Sequence, residues 1–195
     1  MWGYVELTIE DICNKITSGG TPNSKNSSYY GGNIPWLRTQ EVDFRAIEKT
    51  EMFITEEGYK NSSAKWIPEK CVIVAMYGAT VGKVAYNKIP LTTNQACCNL
   101  EITADLANYK YVYYWLVNKY EYIKSLGQGS QTNINAQIVS DLKIILPSIE
   151  KQKSIVETLD KLDTLCNDLT SGLPAEIEAR KKQYEYYRDK LLSFD

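Results

Sequence analysis

The chain has 195 residues, 44% apolar and 24% charged, with a net charge of −2 and no histidine, which is ordinary for one globular domain with an appendage or for two small units. The missing histidine excludes Ser-His-Asp and Cys-His catalysis, histidine metal sites and the commonest general base. The five cysteines, Cys13, Cys71, Cys97, Cys98 and Cys166, show no CxxC spacing and read as buried free thiols. No apolar run approaches the roughly 18 residues of a membrane span, and no signal pattern opens the chain, so the expected location is the cytoplasm, with no membrane contact.

In chain order, "YVELT" (Tyr4 to Thr8) reads as a strand, and Thr8 with Asp11 makes a capping pair that opens a short helix through Lys15. Thr17 to Asn33 holds too many turn residues to be regular and too few apolar ones to pack, so a long polar loop is expected there. "IPWLRT" and "MFIT" look like strands, and "CVIVAMY", rich in β-branched residues, is a stronger one. Gly78 to Gly82 then turns that strand into "KVAYN", and "LTTNQACCNLEI" supplies a further strand region. Asn108 caps an amphipathic helix whose stripe is Val112, Trp115, Leu116, Ile123 and Leu126, with the stem of Lys119 along it. "GQGSQTNINAQ" is a second polar loop and "LKIIL" a closing strand. Strands and helices without βαβ regularity predict an α+β domain.

The texture changes at Pro147, which sets an expected boundary between residues 1–146 and 147–195. Beyond it Ile155, Leu159, Leu162, Cys166 and Leu169 alternate steps of four and three, a heptad seam. Ser171 to Pro174 interrupts the seam, since glycine suits a helix C-terminus and proline a new first turn. A second helix is expected from about Ala175, with Ile177, Tyr184, Tyr187, Leu191 and Phe194 on one face. At ~1.5 Å per residue, residues 148–193 span roughly 70 Å as one helix or about half that as a hairpin. Either form leaves an apolar seam in need of a partner. The fold class is therefore α+β: a mixed α/β domain followed by a long C-terminal helical, coiled-coil-like region.

Gly78 to Lys83 has the look of a phosphate-binding nucleotide loop, but that pattern needs four residues between its glycines and a Ser or Thr after the lysine to hold magnesium. Here three residues separate the glycines and Val84 follows Lys83. Charge, meanwhile, is unevenly spread. Glu41 to Glu57 holds six acids against two bases, whereas Gly58 to Pro90 holds five lysines against Glu69 alone. One face of a chain that is not basic overall can thus be basic; a scattering of solvated lysines accounts for the same count.

With both parts in view, three stretches carry a resemblance. "GGTPNSKNSSYYGGNIPWLRTQEV", "GSQTNINAQIVSDLKIILPSIEKQKSIVETLDKLD" and "SGLPAEIEARKKQYEYYRDKLLSF" are similar in kind and order to the start of the recognition domain, its exit and the terminal helix of the DNA-specificity subunit of type I restriction-modification systems. "YGATVGKVA" and "TTNQA" extend the match to nearly the whole chain. Members of that family usually carry two recognition domains and two helical regions; this chain has room for one of each and so resembles half of such a subunit.

The resemblance implies a target-recognition domain over 1–146 that reads one half of a split double-stranded DNA site. It implies a helical spacer over 147–195 for dimerisation and docking of modification subunits. S-adenosylmethionine and adenine methylation would belong to those modification subunits, with a restriction subunit joining indirectly. This chain itself would hold no cofactor, no metal and no catalytic residue. Half-subunits in the family act by dimerising, so a homodimer reading an interrupted inverted repeat is expected. "NIPW" at Asn33 to Trp36 is superficially similar to the Asn-Pro-Pro-aromatic motif of adenine methyltransferases, but Ile34 stands in place of the needed proline; Pro35 and Trp36 read better as packing.

A reader of DNA needs phosphate contacts for position and side-chain amides or guanidinium groups for bases. The candidates are Arg38, Thr39 and Gln40, Asn94 and Gln95, and Gln128, Gln131 and Asn133. Lys25 and Arg45 lie in the idiosyncratic stretches where base reading is best sought, and Lys65, Tyr77 and Lys83 complete the DNA-binding set. Asn and Gln in turns also bond their own backbone, and Gly78 to Lys83 reads nearly as well as a purely structural turn as it does as a phosphate contact. For the helices, Ile155, Leu159, Leu162, Leu169, Ile177 and Leu191 are the candidate seam, with Arg180, Tyr184, Tyr187 and Arg188 as contacts of the type enriched at interfaces. A truncated remnant that binds modification subunits without active recognition is the second reading.

Overall fold

Thr8 ends the first strand, β1 (Val5–Thr8), in a reciprocal exchange with Asp11. The Thr8 N–H and hydroxyl donate to Asp11 Oδ2 at 2.8 and 2.7 Å, and the Asp11 N–H donates to Thr8 Oγ1 at 3.1 Å. The pair bonds as expected but precedes only a 3-10 turn, Glu10–Ile12, whose cap residue is Ile9. The expected helix to Lys15 is instead a strand, β2 (Cys13–Ser18), because it pairs antiparallel with β10 (Cys97–Ile102), a partner far away in sequence (Cys98 opposite Ser18). β1 itself pairs antiparallel with the closing strand β11 (Lys143–Leu146). This computed structural model describes residues 3–127, 133–167 and 172–192 and divides the chain into two compact units after Gln152.

In the first unit a five-stranded sheet runs β2, β10, β7 (Val72–Ala75), β8 (Val84–Asn87) and β4 (Ala46–Ile47). A four-stranded sheet runs β5 (Met52–Ile54), β3 (Tyr30–Leu37), β9 (Leu91–Thr93) and β6 (Trp66–Ile67). β7 explains the layering. Side chains alternate across a strand, and its unbroken apolar run serves both faces. Val72 and Val74 join a core shared with Val112 and Leu116 of helix α2 (Tyr109–Asn118), while Ile73 and Ala75 join a core shared with Leu37, Ile67 and Leu91 of the second sheet. Helix, sheet and sheet are thus successive layers of one α+β body.

Several sequence expectations are redrawn by this arrangement. "LTTNQACCNLEI" is two strands, since the chain turns at Asn94–Ala96 to pass from one sheet to the other. The amphipathic helix is capped by Asn108, whose Oδ1 accepts the Lys110 N–H at 2.9 Å, but it breaks at Lys119 into α2 and α3 (Tyr120–Ser125). The polar loop is shorter than expected, because Thr17 and Ser18 belong to β2 and Tyr30 to Asn33 to β3. Two short helices, α1 (Glu56–Lys60) and α4 (Ala136–Ser140), and the two-residue strands β4 and β6 carry no periodicity that sequence could show. Cys71, Cys97 and Cys98 are buried as expected and Cys13 half-buried, but Cys166 is exposed.

α5 (Ile149–Asn167) starts within the first unit and is fastened there by Gln152. Its side chain is 1% exposed; Oε1 accepts the Asn108 N–H at 2.8 Å and Nε2 donates to the Pro147 carbonyl at 2.9 Å. The second unit holds the rest of α5 and α6 (Leu173–Leu192). Gly172 begins α6, its carbonyl accepting the Glu176 N–H at 3.2 Å, so it serves a helix start where a helix end was expected. Along α6, Glu176 pairs with Arg180 at 3.5 Å and Glu178 with Lys182 at 2.7 Å. Ile155 and Leu159 are half-buried, whereas Leu162 and Ile177 are exposed. Leu169 lies outside the described residues, as do the side chains of Tyr184, Tyr187, Arg188 and Leu191. Among the described residues no helix is long and apolar enough to cross a membrane.

Candidate nucleic-acid interface

The face is built by one parallel pairing. β3 and β9 run side by side in the same direction (Trp36 opposite Thr92, Leu37 opposite Thr93), so the chain leaves both strands at one end. Arg38-Thr39-Gln40 follows the first and Asn94-Gln95 the second, joined by the Asn94 N–H donating to the Leu37 carbonyl at 2.9 Å. β6 is antiparallel to β9 (Trp66 opposite Thr92), which brings Lys65, just before it, to the same end. The turn Thr39–Glu41 lies against the turn Gly78–Thr80, and the Met76 backbone ties in the rest. Its N–H donates to the Ala96 carbonyl at 2.8 Å and its carbonyl accepts from the Ile134 N–H at 3.0 Å. Tyr77, Asn94 and Gln95 are therefore brought toward Arg38 and Gln40, with Asn133 following through Met76, although they come from segments scattered over the chain.

The "GGTP" stretch is a strap rather than a loose loop. A Cβ on Gly19 would collide with the Thr93 carbonyl, and one on Gly20 with the Ala64 backbone, so glycine is required by close approach. Trp36 Nε1 donates to the Gly20 carbonyl at 2.9 Å, and Tyr30 Oη to the Pro22 carbonyl at 2.7 Å. With Trp36 5% exposed, Pro35-Trp36 is packing, as expected. The strap ends at Thr21, whose hydroxyl donates to Gln95 Oε1 and so delivers a further polar group to the face.

Glu41 holds the exit turn in shape. It is 3% exposed and uses both oxygens: Oε1 accepts the Arg38 N–H at 3.1 Å and Oε2 the Glu51 N–H at 2.8 Å. Glu51 in turn pairs with Arg38 Nη2 at 3.2 Å. Arg38 Nε and Asn133 Oδ1 are buried without a hydrogen-bond partner. Tyr77 and Gln40 are exposed, but Thr39 is buried. The Asn94 carboxamide oxygen accepts from the Ala96 N–H at 3.2 Å, the structural use that turn asparagines commonly have. Lys83 Nζ sits 2.6 Å from Asp43 Oδ1. Lys25 and Arg45 lie on separate exposed turns, Lys25 with its N–H on Asn23 Oδ1 at 3.0 Å. Gln128 and Gln131 lie outside the described residues.

Sequence reasoning missed Thr21 and the Glu41 clamp. The signal for Glu41 was its place three residues after Arg38, the spacing at which a carboxylate reaches back to a turn's first N–H. Thr21 had no local signal, because its partner is 74 residues away. Among the described residues no His, Cys, Asp or Glu cluster is arranged to hold a metal ion. What the face offers is an array of amide, hydroxyl, phenol and guanidinium groups on rigid strand ends, the chemistry of recognition by hydrogen bonding.

A polar face of this chemistry on a mixed α/β body is compatible with recognition of nucleic acid. A family model described as the type I restriction modification DNA specificity domain matches residues 1–179, and the chain belongs to that family. It is 37% identical over 200 residues to the EcoR124I/EcoR124II type I restriction enzyme specificity subunit of Escherichia coli, covering 98% of this chain and 49% of that protein. It is 32% identical to the MjaIX type I specificity subunit of Methanocaldococcus jannaschii, covering 91% of this chain and 39% of that one. The fold matches the HsdS subunit of Thermoanaerobacter tengcongensis with a TM-score of 0.64 at 18% identity, over 83% of this chain and 37% of that one. At most, then, the chain spans about half the length of these relatives.

Proposed function

We propose that this chain is a non-catalytic DNA-specificity component of a type I restriction-modification system. Its first unit reads one half of a bipartite double-stranded site through the strand-end face, with Arg38, Gln40, Gln95 and Tyr77 toward the DNA. α5 and α6 dock modification subunits, which carry S-adenosylmethionine and methylate adenine, and pair in coiled-coil fashion with a second copy of the chain. The restriction subunit joins through that core, in the cytoplasm. The observation that carries the reading is the convergence of polar groups from Thr21, Arg38, Gln40, Tyr77 and Gln95 onto one end of the body, in a chain whose match to the specificity family runs through residue 179. Exposed Leu162 and Ile177 support the pairing.

The test is single-molecule methylome sequencing of a host that carries the modification subunit, with and without this gene. N6-methyladenine at one interrupted palindrome, present only with the gene, is the expected result. An asymmetric motif would mean pairing with a different specificity chain, and an unchanged methylome with the protein expressed would sink the recognition reading in favour of a silent remnant.

A further inference from the structure

Phe44 adopts a backbone conformation that bulky residues rarely take, with φ at +51°. It is held there from both sides. Its N–H donates to the Val84 carbonyl at 2.9 Å, the Arg45 carbonyl accepts the Tyr86 N–H at 3.3 Å, and Asp43 holds Lys83 Nζ at 2.6 Å. The result is that the Phe44 ring stands edge-on to Tyr120, with centroids 5.1 Å apart and planes at 86°. Gly82, whose φ of +79° calls for glycine, lies beside the Tyr120 ring: a Cβ there would make ordinary contact, 3.4 Å from Tyr120 Cδ2 and 3.5 Å from the Lys124 backbone nitrogen. Each ring also carries an ammonium group: Lys83 Nζ is 5.7 Å from the Phe44 centroid and Lys124 Nζ is 5.5 Å from that of Tyr120.

Four side chains from three distant segments therefore form a row, lysine, phenylalanine, tyrosine, lysine. Asp43 is the carboxylate bonded into it, and Glu121, three residues before Lys124, is the one acid of α3. From this row we infer a seat for the DNA phosphate backbone. Lys83 and Lys124 are its phosphate contacts, the Phe44–Tyr120 pair sets the spacing between them, and Asp43 is the internal counterion that a phosphate replaces at Lys83. The inference rests on the DNA-recognition reading above and deepens it, because it assigns a role to Lys124, Phe44 and Tyr120 that no motif announces. Lysine is a point charge without the fork geometry that reads a base, which suits it to phosphate. A stem laid on an aromatic ring is also partly ordered before its ligand arrives, which lowers the cost of binding. The strained Phe44 is then explained as the device that positions the ring.

The experiment is fluorescence anisotropy of the full chain on a random duplex of about 30 base pairs, titrated across KCl from about 50 to 300 mM. Each phosphate-neutralising charge contributes about 0.9 to the slope of log K against log [salt]. Lys83→Gln and Lys124→Gln are each expected to lower the slope by that amount. Asp43→Asn is expected to raise affinity several-fold at the low-salt end, because Lys83 no longer has to leave a partner. Lys124 stands outside the Asp43 ion pair, so its variant tests the seat even where breaking that pair perturbs folding. Wild-type slopes in both lysine variants, in chains that melt as the wild type does, would overturn the seat and leave DNA recognition standing. A wild-type chain with no salt-dependent binding would overturn the recognition reading and the seat together.

Discussion

The two compact units treat their apolar surface in opposite ways. In the first, the residues of β7 are fully buried, half against the helices and half against the second sheet. In the second, Leu162 is 52% and Leu165 49% exposed on α5, and Ile177 is 67% exposed on α6, which carries its own glutamate-to-arginine and glutamate-to-lysine pairs. Acids of the body also hold bases one to one: Asp43, Glu48 and Glu51 pair with Lys83, Lys88 and Arg38. The body thus closes a core between helices and sheets, with Val5, Trp66 and Ile145 among the apolar side chains left on its surface, and offers a polar face; the helices expose Leu162, Leu165 and Ile177, side chains of the kind that mark association surfaces. On the function proposed above, recognition by hydrogen bonds and assembly by apolar contact fall to different parts of the chain.

The contrast breaks most sharply in the core. Ile73 is fully buried between the two sheets, so Ile73→Ala should cost about 4 kcal/mol in urea denaturation, a large part of the ~5–15 kcal/mol that a domain has. Leu162→Ala, exposed in the single chain, should stay within about 0.5 kcal/mol at concentrations dilute enough to keep the chain monomeric. Equal losses at the two positions would mean that the helical segment is buried in the free chain and would end the contrast.

Gln152 sits at the division between the two units and sharpens it. Gln152→Ala leaves the Asn108 N–H and the Pro147 carbonyl without their partner in a buried site, at a cost of about 2 kcal/mol. The loss should appear as faster hydrogen exchange at the Asn108 amide, together with a lower melting temperature. If exchange at Asn108 is unchanged, α5 is not fastened by this side chain.

How far these features could be read in advance depended on whether their causes are local. β7, the hairpin into β8 and the closing β11 were legible because a β-branched run or an alternation announces them. β2 was not. "CNKITS" has no strong pattern, and the Thr8–Asp11 pair, correctly read, suggested a helix that the pairing with β10 overrides. The Lys119 break was hidden because the apolar stripe runs on through it. The candidate site was legible as a set of residue types but not as a place: Arg38 and Asn94 meet only because β3 and β9 are parallel neighbours, and Thr21 meets Gln95 only because two glycines let the strap lie flat. Long-range pairing carries that information, and no window of sequence contains it.

The thiols give the smallest effect and separate the units without disturbing either. Burial pushes Cys13, Cys71 and Cys98 up to about 12, and Cys97 is also pushed up, because a thiolate in these surroundings loses its hydration. Cys166 is exposed on α5. Since the thiolate is the reactive form, Ellman's reagent at about pH 8 should label Cys166 at once and the other four only after denaturant is added. The sign with pH follows. With folded values above the ordinary 9.0, the folded chain holds protons that the unfolded chain releases, so these thiols leave stability intact below about pH 9 and erode it as pH rises from there toward 12. Cys166→Ser should abolish the fast labelling, because the reactivity belongs to the one exposed thiol. Rapid native labelling of Cys71 or Cys98 would instead mean that the sheets open locally, and the body would no longer be the closed half of the comparison.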